Sequence, residues 1–394
     1  MNMNSILQRA YDKMLSLYGE NVPIEICSRF YSEKAMLEGH ELYLTYLDLI
    51  GKLRERANEK GEHIRVAGPV GNLLTAHLLG AIDLDPIAEC LPYEMAHPYV
   101  QKGVLRLDVS YKFFTEAKQL ISEGLQEHHA VVTLCDGDMP TLTLFATLDE
   151  GEESKTISFK ENHQLFRDLP HITLAPSMIL DSYRDIEAVT GVKMRDAHDA
   201  DDMAVLCELL SGNVSKIPYL DSPNGFVKKL IGQTRPTDFE ELLKIVGLAH
   251  STNVWTDNAE ELFAAHRVTL RDIPTSPEDV FDRISEKLRA RGIADTGFAY
   301  DVAQKAKRGC YKQAGGMDDE TRMALLELGF DMDFTFLLEE TVYLFSKAQA
   351  IAYLREAMAM AWYRCRYPEQ YAEIFGGEKR SCADLNLGTL THTD

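Results

Sequence analysis

The hydrophobic pattern changes partway along the chain, and this change limits the fold more than any other feature of the sequence. Up to about residue 195, helical stretches mix with segments that alternate apolar and polar side chains. One of these is VLRLDVSY at 104–111, which is typical of a half-buried strand. Beyond residue 200 the apolar residues recur at helical spacing almost throughout. Strands first and helices afterwards indicate the α+β class, with a small mixed sheet and a large helical lobe.

The same pattern divides the chain into four predicted segments. Residues 1–60 are helical, and 61–212 form an α+β domain with a strand at 64–68 and a hairpin across Asp136 to Pro140. Residues 213–376 form a helical domain, interrupted at Pro- and Gly-containing breaks. The remaining segment, 377–394, is polar and is expected to be a flexible tail.

Charge and composition exclude several classes of protein. The 394 residues carry a formal net charge of -21, which disfavours general binding to nucleic acid because phosphates attract cations. No apolar run approaches the ~20 residues of a membrane-spanning helix, and the first residues lack the apolar core of a secretory signal. Seven scattered cysteines form no C-x-x-C pair, which argues against a zinc site. We therefore expect a cytoplasmic protein without a membrane partner.

An ordered series of motifs resembles one family. Residues 226–263 contain RPTDFEEL, then GLAHSTNVW, then NAEEL, and 345–371 contain FSKAQAIAY. The polymerase core of the PolC-type bacterial DNA polymerase III alpha subunit carries comparable strings in the same order. Two upstream stretches, 18–33 and 66–87, resemble the entry to its palm more weakly. The likeness extends over roughly residues 18–375.

The resemblance implies a fold, an activity and partners. It implies a palm-like, nucleotidyltransferase-like sheet domain followed by a helical fingers-like domain. The implied activity is DNA-directed DNA synthesis from deoxynucleotide triphosphates on primer-template DNA, with Mg²⁺ as the cofactor. A further replication protein is also a possible partner by resemblance.

The metal-binding position departs from the family pattern. Two-metal phosphoryl transfer requires carboxylates that hold two divalent ions about 4 Å apart. The family has an Asp-x-Asp pair, and the alignment of 91–109 places Arg106 at the first aspartate and Asp108 at the second. A guanidinium cannot bind Mg²⁺. The sequence therefore predicts impaired or lost catalysis at a strand that still carries Asp108.

A third carboxylate is expected just before the helix that starts near residue 201. Counting back from that helix selects Asp196, whereas anchoring on Lys193 selects Arg195. An acidic loop follows at His198, Asp199, Asp201 and Asp202. Such a loop either holds a metal ion or caps the following helix, and capping is its commoner role.

The turn after the first strand corresponds by resemblance to a loop that binds nucleotide phosphates. Gly68 and Gly71 are retained, and Asn72 follows them. Pro69 removes one backbone donor, and the serine hydroxyls of the family are absent. Without the resemblance, this stretch is an ordinary turn between a strand and a helix.

Four cations in the helical region are candidates for contact with nucleotide phosphates. The resemblance assigns this role to Lys305, Lys307, Arg308 and Lys347, although a basic cluster on a helix is usually a solvated face. His250 is a candidate for contact with the primer or the DNA, and a packed, hydrogen-bonded histidine is the alternative.

Three functional hypotheses remain open at this point. The chain is a PolC-type polymerase homologue with impaired nucleotidyl transfer, an inactive paralogue that binds a nucleotide or a protein as a regulatory module, or a toxin-like or phage-related nucleotide-transfer protein. The damaged position at Arg106 and the acidic net charge both favour a loss of catalysis.

Overall fold

A computed structural model describes residues 3–125, 129–136, 139–147, 155–156, 169–197, 202–222 and 224–376. The chain forms two compact units, Met1–Asp185 and Ile186–Asp394. These units are defined by compactness alone, so the segment boundaries expected at residues 60 and 212 stay predictions. The expected tail at 377–394 lies outside the described residues.

The first unit combines helices with strands. Its elements, in chain order, are α1 (Met3–Tyr18), α2 (Ile24–Leu37), α3 (Glu41–Lys60), β1 (Ile64–Ala67), α4 (Leu74–Leu78), α5 (His97–Lys102), β2 (Val104–Ser110), α6 (Tyr111–Leu125), β3 (His129–Asp136), β4 (Met139–Thr147), β5 (Lys155–Thr156) and β6 (His171–Ser177). A short 3₁₀ turn, Pro69–Asn72, separates β1 from α4. The next helix, α7 (Met178–Thr190), contains the boundary between the two units.

The second unit is helical in its described part. It contains α8 (Met194–Ala197), α9 (Met203–Leu210), α10 (Phe226–Thr234), α11 (Phe239–His250), α12 (Glu260–Ala264), α13 (Pro277–Ala290), α14 (Gly297–Lys307), α15 (Cys310–Ala314), α16 (Asp319–Glu327), α17 (Met332–Glu340), α18 (Lys347–Arg366) and α19 (Pro368–Phe375). Among the described residues, no helix has the length and apolar character needed to cross a membrane. The α+β class predicted from the sequence is confirmed.

The strands form one mixed sheet in the order β1-β2-β6-β4-β3-β5. β2 pairs with β1 in the antiparallel direction and with β6 in the parallel direction. The predicted hairpin is present as the antiparallel pair β3 and β4. The sequence analysis did not identify β6, although HITLAPS begins with alternating character.

One face of this sheet is covered by helices. Leu105, Leu107 and Val109 of β2 belong to a buried apolar cluster that includes side chains of α3 and α6. Because successive side chains of a strand point to opposite faces, Arg106 and Asp108 lie on the other face. The core therefore fixes which way the candidate catalytic strand presents its polar residues.

In the second unit, α18 is the central helix. Buried positions occur on all sides of it, including Met358, Met360 and Tyr363. Its first turn is held by a carboxylate from another helix: Glu278 of α13 is fully buried and accepts hydrogen bonds from the Ser346 hydroxyl at 3.3 Å and the Lys347 backbone N–H at 3.0 Å. The Met-containing stretch 356–363 therefore lies mostly in the core.

Glu33 of α2 performs a similar task in the first unit. It is fully buried and accepts hydrogen bonds from the backbone N–H groups of Leu74 and Thr75 at 2.9 and 2.8 Å and from the Thr75 hydroxyl at 2.9 Å. Arg29 donates to the same carboxylate at 2.6 Å. This one side chain thus accepts hydrogen bonds from the first N–H groups of α4, and it fixes the position at which the Pro69–Asn72 turn ends.

We predict that Glu33→Ala destabilises the protein by about 3 kcal/mol, because it leaves the buried N–H groups of Leu74 and Thr75 and the Nε–H of Arg29 without their acceptor. Urea unfolding followed by circular dichroism measures the change. Glu20→Ala, at an exposed position, is the matched control and should change stability by less than about 0.5 kcal/mol. Equal midpoints for the two variants would contradict this role of Glu33.

Candidate functional site

The candidate catalytic position is built by the pairing of β1 with β2. The antiparallel register places Arg65 opposite Asp108 and Ala67 opposite Arg106. Residues directly opposite each other on one face of a sheet interact through their side chains. Arg65 therefore joins Arg106 and Asp108 on the face of the sheet opposite the apolar cluster of α3 and α6.

Asp108 is held by both arginines. The Nη2 atom of Arg65 donates to Asp108 Oδ2 at 2.7 Å, and the Nε atom of Arg106 lies 3.5 Å from Asp108 Oδ1. The Asp108 and Arg65 side chains are only 7% and 10% exposed, and that of Arg106 is 25% exposed. Burial by itself would raise the pKa of Asp108, but the two guanidinium groups outweigh burial and hold that pKa below its usual range.

This donor set does not fit the divalent cation that the family resemblance implies. Each oxygen of the Asp108 carboxylate faces a guanidinium, and a metal ion would have to displace both contacts and lie beside two positive charges. In the part of the chain that the structure describes, no three His, Cys, Asp or Glu side chains form a group that could hold a metal ion. We therefore derive no catalytic step through a metal ion at Asp108.

The turn after β1 keeps the backbone shape expected from its glycines. Gly68 has φ 85° and ψ -165°, a conformation available essentially only to glycine. Gly71 and Asn72 are buried, and the Asn72 amide donates to the Pro92 carbonyl at 2.9 Å. The backbone N–H groups of Leu74 and Thr75 donate to Glu33, so both donors are used in hydrogen bonds within the protein.

Asp196 belongs to the second unit, whereas Asp108 belongs to the first. The Asp196 side chain is 64% exposed and lies 3.7 Å from the guanidinium of its neighbour Arg195. Of the acidic loop, His198, Asp199 and Asp201 lie outside the described residues. Asp202 caps α9 by accepting from the N–H groups of Ala204 and Val205 at 3.0 and 3.2 Å, so the capping interpretation is confirmed for this residue.

The four candidate cations have different environments. Lys305 and Arg308 are exposed at the end of α14, whereas Lys307 is buried with 6% exposure. Lys347 lies at the start of α18, with its ammonium 3.9 Å from Asp279. Lys307 and Lys347 are therefore less available to a ligand than a solvated basic cluster would be.

Asp279 is a second carboxylate between two cations. Lys244 donates to it at 2.6 Å, and Lys347 approaches from the other oxygen. Burial alone would raise the pKa of Asp279, but the ammonium groups of Lys244 and Lys347 hold it well below its usual range. The contacts join α11, α13 and α18, which the sequence analysis did not foresee.

His250 is packed among aromatic rings. It stacks on Phe345 with ring centroids 5.0 Å apart and meets the edge of Tyr353 at 5.2 Å. Trp255, its neighbour in the sequence motif, packs instead against Phe263. The packing agrees with the interpretation of His250 as a structural residue, while its contact with DNA or primer stays a prediction.

Arg65 is the site residue that the sequence analysis missed. The sequence marks Arg65 only as a charged residue between apolar neighbours in the short strand IRVA. The partner of such an arginine depends on strand register, which a single sequence does not reveal.

The comparisons with known proteins point to one family. Residues 175–287 match the family described as the bacterial DNA polymerase III alpha subunit finger domain. The matched segment contains Asp196 and His250, whereas Arg106 and Asp108 precede it and the cations at 305–308 and Lys347 follow it.

Several relatives are PolC-type DNA polymerase III proteins. The chain is 31% identical to that of Mycoplasma genitalium over 163 residues, which is 41% of this chain and 10% of the relative. It is 31% identical to the Lacticaseibacillus paracasei protein over 193 residues, which is 48% of this chain and 12% of the relative. It is 20% identical to the Mycoplasmopsis pulmonis protein over 328 residues, which is 79% of this chain and 22% of the relative. The chain thus spans between 10% and 22% of the length of these three relatives.

We predict that Asp108→Asn lowers the free energy of unfolding by about 3 kcal/mol at neutral pH, because the guanidinium groups of Arg65 and Arg106 lose their shared anion. The folded-state pKa of Asp108 lies below the unfolded value near 3.8. The stabilisation that ionised Asp108 contributes is therefore fully present above the unfolded-state pKa, and it is lost as the pH falls through the lower folded-state pKa. Urea unfolding of wild type and variant at several pH values between 7 and about 3 measures it.

The matched control is Asp12→Asn, at an exposed position of α1. It should change stability by less than about 0.5 kcal/mol at every pH. A wild-type advantage over Asp108→Asn that stays constant down to the lowest pH would be inconsistent with the ion-paired carboxylate.

Sequence motifs, fold class and relatives agree. The α+β unit precedes a helical unit, as the resemblance implies, and the finger-domain match lies where the chain changes from strands to helices. The chain is therefore PolC-like: residues 175–287 match the finger-domain family of the bacterial DNA polymerase III alpha subunit, and the relatives described above are PolC-type DNA polymerase III proteins.

Proposed function

We propose that this protein is a PolC-type DNA polymerase III homologue in which nucleotidyl transfer is impaired or lost. The observation that carries the proposal is the pairing of Asp108 with both Arg65 and Arg106. By resemblance, Arg106 stands where the family has the first metal-binding aspartate and Asp108 where it has the second. The remaining carboxylate is thus committed to neutralising cations that belong to the protein itself.

Coulomb's law gives the approximate free-energy penalty that the arginines impose on a divalent ion at this position. A divalent ion about 6 Å from one guanidinium, at an effective dielectric constant of about 20, is destabilised by roughly 5 kcal/mol. Two arginines at this position make the penalty larger, and a single carboxylate offsets only part of it. Since each 1.4 kcal/mol is about a factor of ten in an equilibrium constant, metal binding at physiological concentrations is strongly disfavoured.

The two units take the roles of palm and fingers in this proposal. The mixed sheet of Met1–Asp185 is the counterpart of a nucleotidyltransferase-like palm, and the helices of Ile186–Asp394 are the counterpart of the fingers. The order of the two units and the finger-domain match at 175–287 support this assignment. The implied setting is bacterial and cytoplasmic, in DNA replication.

A second candidate function is a regulatory module that binds a nucleotide or a replication protein. It is favoured by the exposed Arg308 and Lys305 at the end of α14, which leave cations accessible without requiring a metal ion. Primer-template DNA is a less suitable partner than a protein or a nucleotide, because the net charge of -21 opposes a polyanion.

We predict that the purified protein extends a primed template at least about 10³-fold more slowly than a PolC-type polymerase core, with either Mg²⁺ or Mn²⁺. Single-nucleotide primer extension measures the rate. Asp108→Asn is the background control, because it removes the only carboxylate of the strand pair. Extension that approaches the rate of the reference enzyme and is abolished by Asp108→Asn would overturn the proposal.

Arg106→Asp tests the cause of the defect. This change recreates two acidic residues on one strand face, and we expect it to increase the affinity for Mn²⁺, measured by paramagnetic relaxation of solvent water. The matched control is Arg289→Asp, which makes the same charge change at an exposed position outside the candidate site. Equal Mn²⁺ affinity of the wild type and Arg106→Asp would show that Arg106 is not what excludes the metal ion.

The regulatory alternative predicts a thermal shift with deoxynucleotide triphosphates in the absence of metal. A nucleotide at about 100 times its dissociation constant stabilises the fold by ~2.7 kcal/mol. Arg308→Ala should reduce this shift, whereas Arg289→Ala, also at an exposed position, should leave it unchanged. No shift with any of the four nucleotides would exclude nucleotide binding and leave a protein partner as the form of this alternative.

A further inference from the structure

A pocket with a volume of about 460 Å³ lies within the second unit, around the loop between α15 and α16. Its wall includes Lys305 from α14, Tyr311 from α15, the pair Gly315 and Gly316, and Asp318. Both glycines have positive φ, 79° and 140°, so the backbone turns sharply at this point. The two glycines contribute no side chains that would fill the space.

The wall is fixed by hydrogen bonds. Arg322 donates to the Met317 carbonyl at 2.9 Å and to Glu339 at 2.7 Å, and it pairs with Asp319 at 3.1 Å. The Met317 backbone N–H donates to the same Glu339 carboxylate at 3.1 Å. The Arg322 charge is therefore already neutralised by Glu339 and Asp319, and it serves to hold the wall in place.

Lys305 is the lining cation that remains available. Its ammonium lies 4.0 Å from Asp318, beyond hydrogen-bond distance, and 6.0 Å from the centre of the Tyr311 ring. Asp318 directs its carboxylate to the start of α16, accepting from the Thr321 N–H at 2.8 Å and the Thr321 hydroxyl at 2.9 Å. The Lys305 side chain is 50% exposed, so it can turn toward a ligand without breaking a strong contact.

Tyr311 provides an independent indication of a ligand. The residue is only 3% exposed, and its hydroxyl has no hydrogen-bond partner among the described residues. Buried polar groups nearly always have a partner, and the exceptions require an explanation. Burial and the nearby Asp318 carboxylate raise the pKa of Tyr311, so the hydroxyl remains protonated and able to donate at neutral pH.

We propose that this pocket binds a small organic anion, with its carboxylate or phosphate group on Lys305 and an acceptor atom on the Tyr311 hydroxyl. The Tyr311 ring, Ala314 and Met317 supply apolar surface for the body of the ligand. The pocket volume is within the range of small-molecule sites. The site depends on no residue of β1 or β2 and is therefore separate from the proposed loss of nucleotidyl transfer.

The charges of the wall limit the ligand to about one anionic group. Lys305 offers one positive charge, and Asp318 lies beside it. A nucleoside triphosphate would place about four negative charges next to that carboxylate, in a protein with a net charge of -21. The proposed ligand is thus distinct in class from the substrate of a polymerase.

Isothermal titration of the full chain with benzoate, phenyl phosphate, inorganic phosphate and dATP tests the proposal. We expect saturable binding of benzoate or phenyl phosphate, and the tighter of the two identifies the preferred acidic group. Lys305→Gln should weaken this binding by about tenfold, which corresponds to ~1.4 kcal/mol. Lys229→Gln, an exposed lysine 3.6 Å from Glu260, should leave it unchanged.

Tyr311→Phe separates a ligand contact from a structural role. If the hydroxyl serves a ligand, the variant keeps or raises the melting temperature of the free protein and weakens binding of the organic anion several-fold. Three results would overturn the proposal: no saturable binding of either organic probe up to about 10 mM, equal binding by wild type and Lys305→Gln, or equal or tighter binding of dATP.

Discussion

The contact between Asp108 and two arginines is the interaction on which the functional interpretation depends. A carboxylate in a buried strand needs compensating charge, and in a polymerase palm a divalent ion supplies it. Here Arg65 and Arg106 supply it from within the protein. The same compensation that allows Asp108 to be buried opposes a metal ion at this position, so the stability of the ion pairs and the proposed loss of catalysis have one physical origin.

Buried carboxylates organise the rest of the fold in a comparable way. Glu33 fixes the start of α4, and Asp279 holds Lys244 and Lys347 together across three helices. Each joins segments that are far apart in the sequence. An acidic protein of this composition thus uses part of its negative charge as internal structure, while the remainder gives its surface a field that disfavours nucleic acid.

The sequence predicted the elements that local patterns determine. The alternation in VLRLDVSY predicted β2 and the common face of Arg106 and Asp108, and the capping role of Asp202 followed from its position before an apolar helix. Contacts that depend on strand register or on helix packing could not be predicted from the sequence. Arg65 meets Asp108 across two strands, Lys347 meets Asp279 from a helix 68 residues away, and Lys307 is buried although its neighbours Lys305 and Arg308 are exposed.

The hydrogen bonds from Ser346 and Lys347 to Glu278 have a consequence for how the helical unit assembles. The central helix of that unit, α18, begins on a carboxylate supplied by α13, so neither helix reaches its lowest free energy before the other is docked. The contact spans 68 residues, and ordering the intervening chain precedes any gain from it. Docking of α13 and of α18 is consequently coupled, and a shortened version that omits α13 would leave the first turn of α18 without this acceptor.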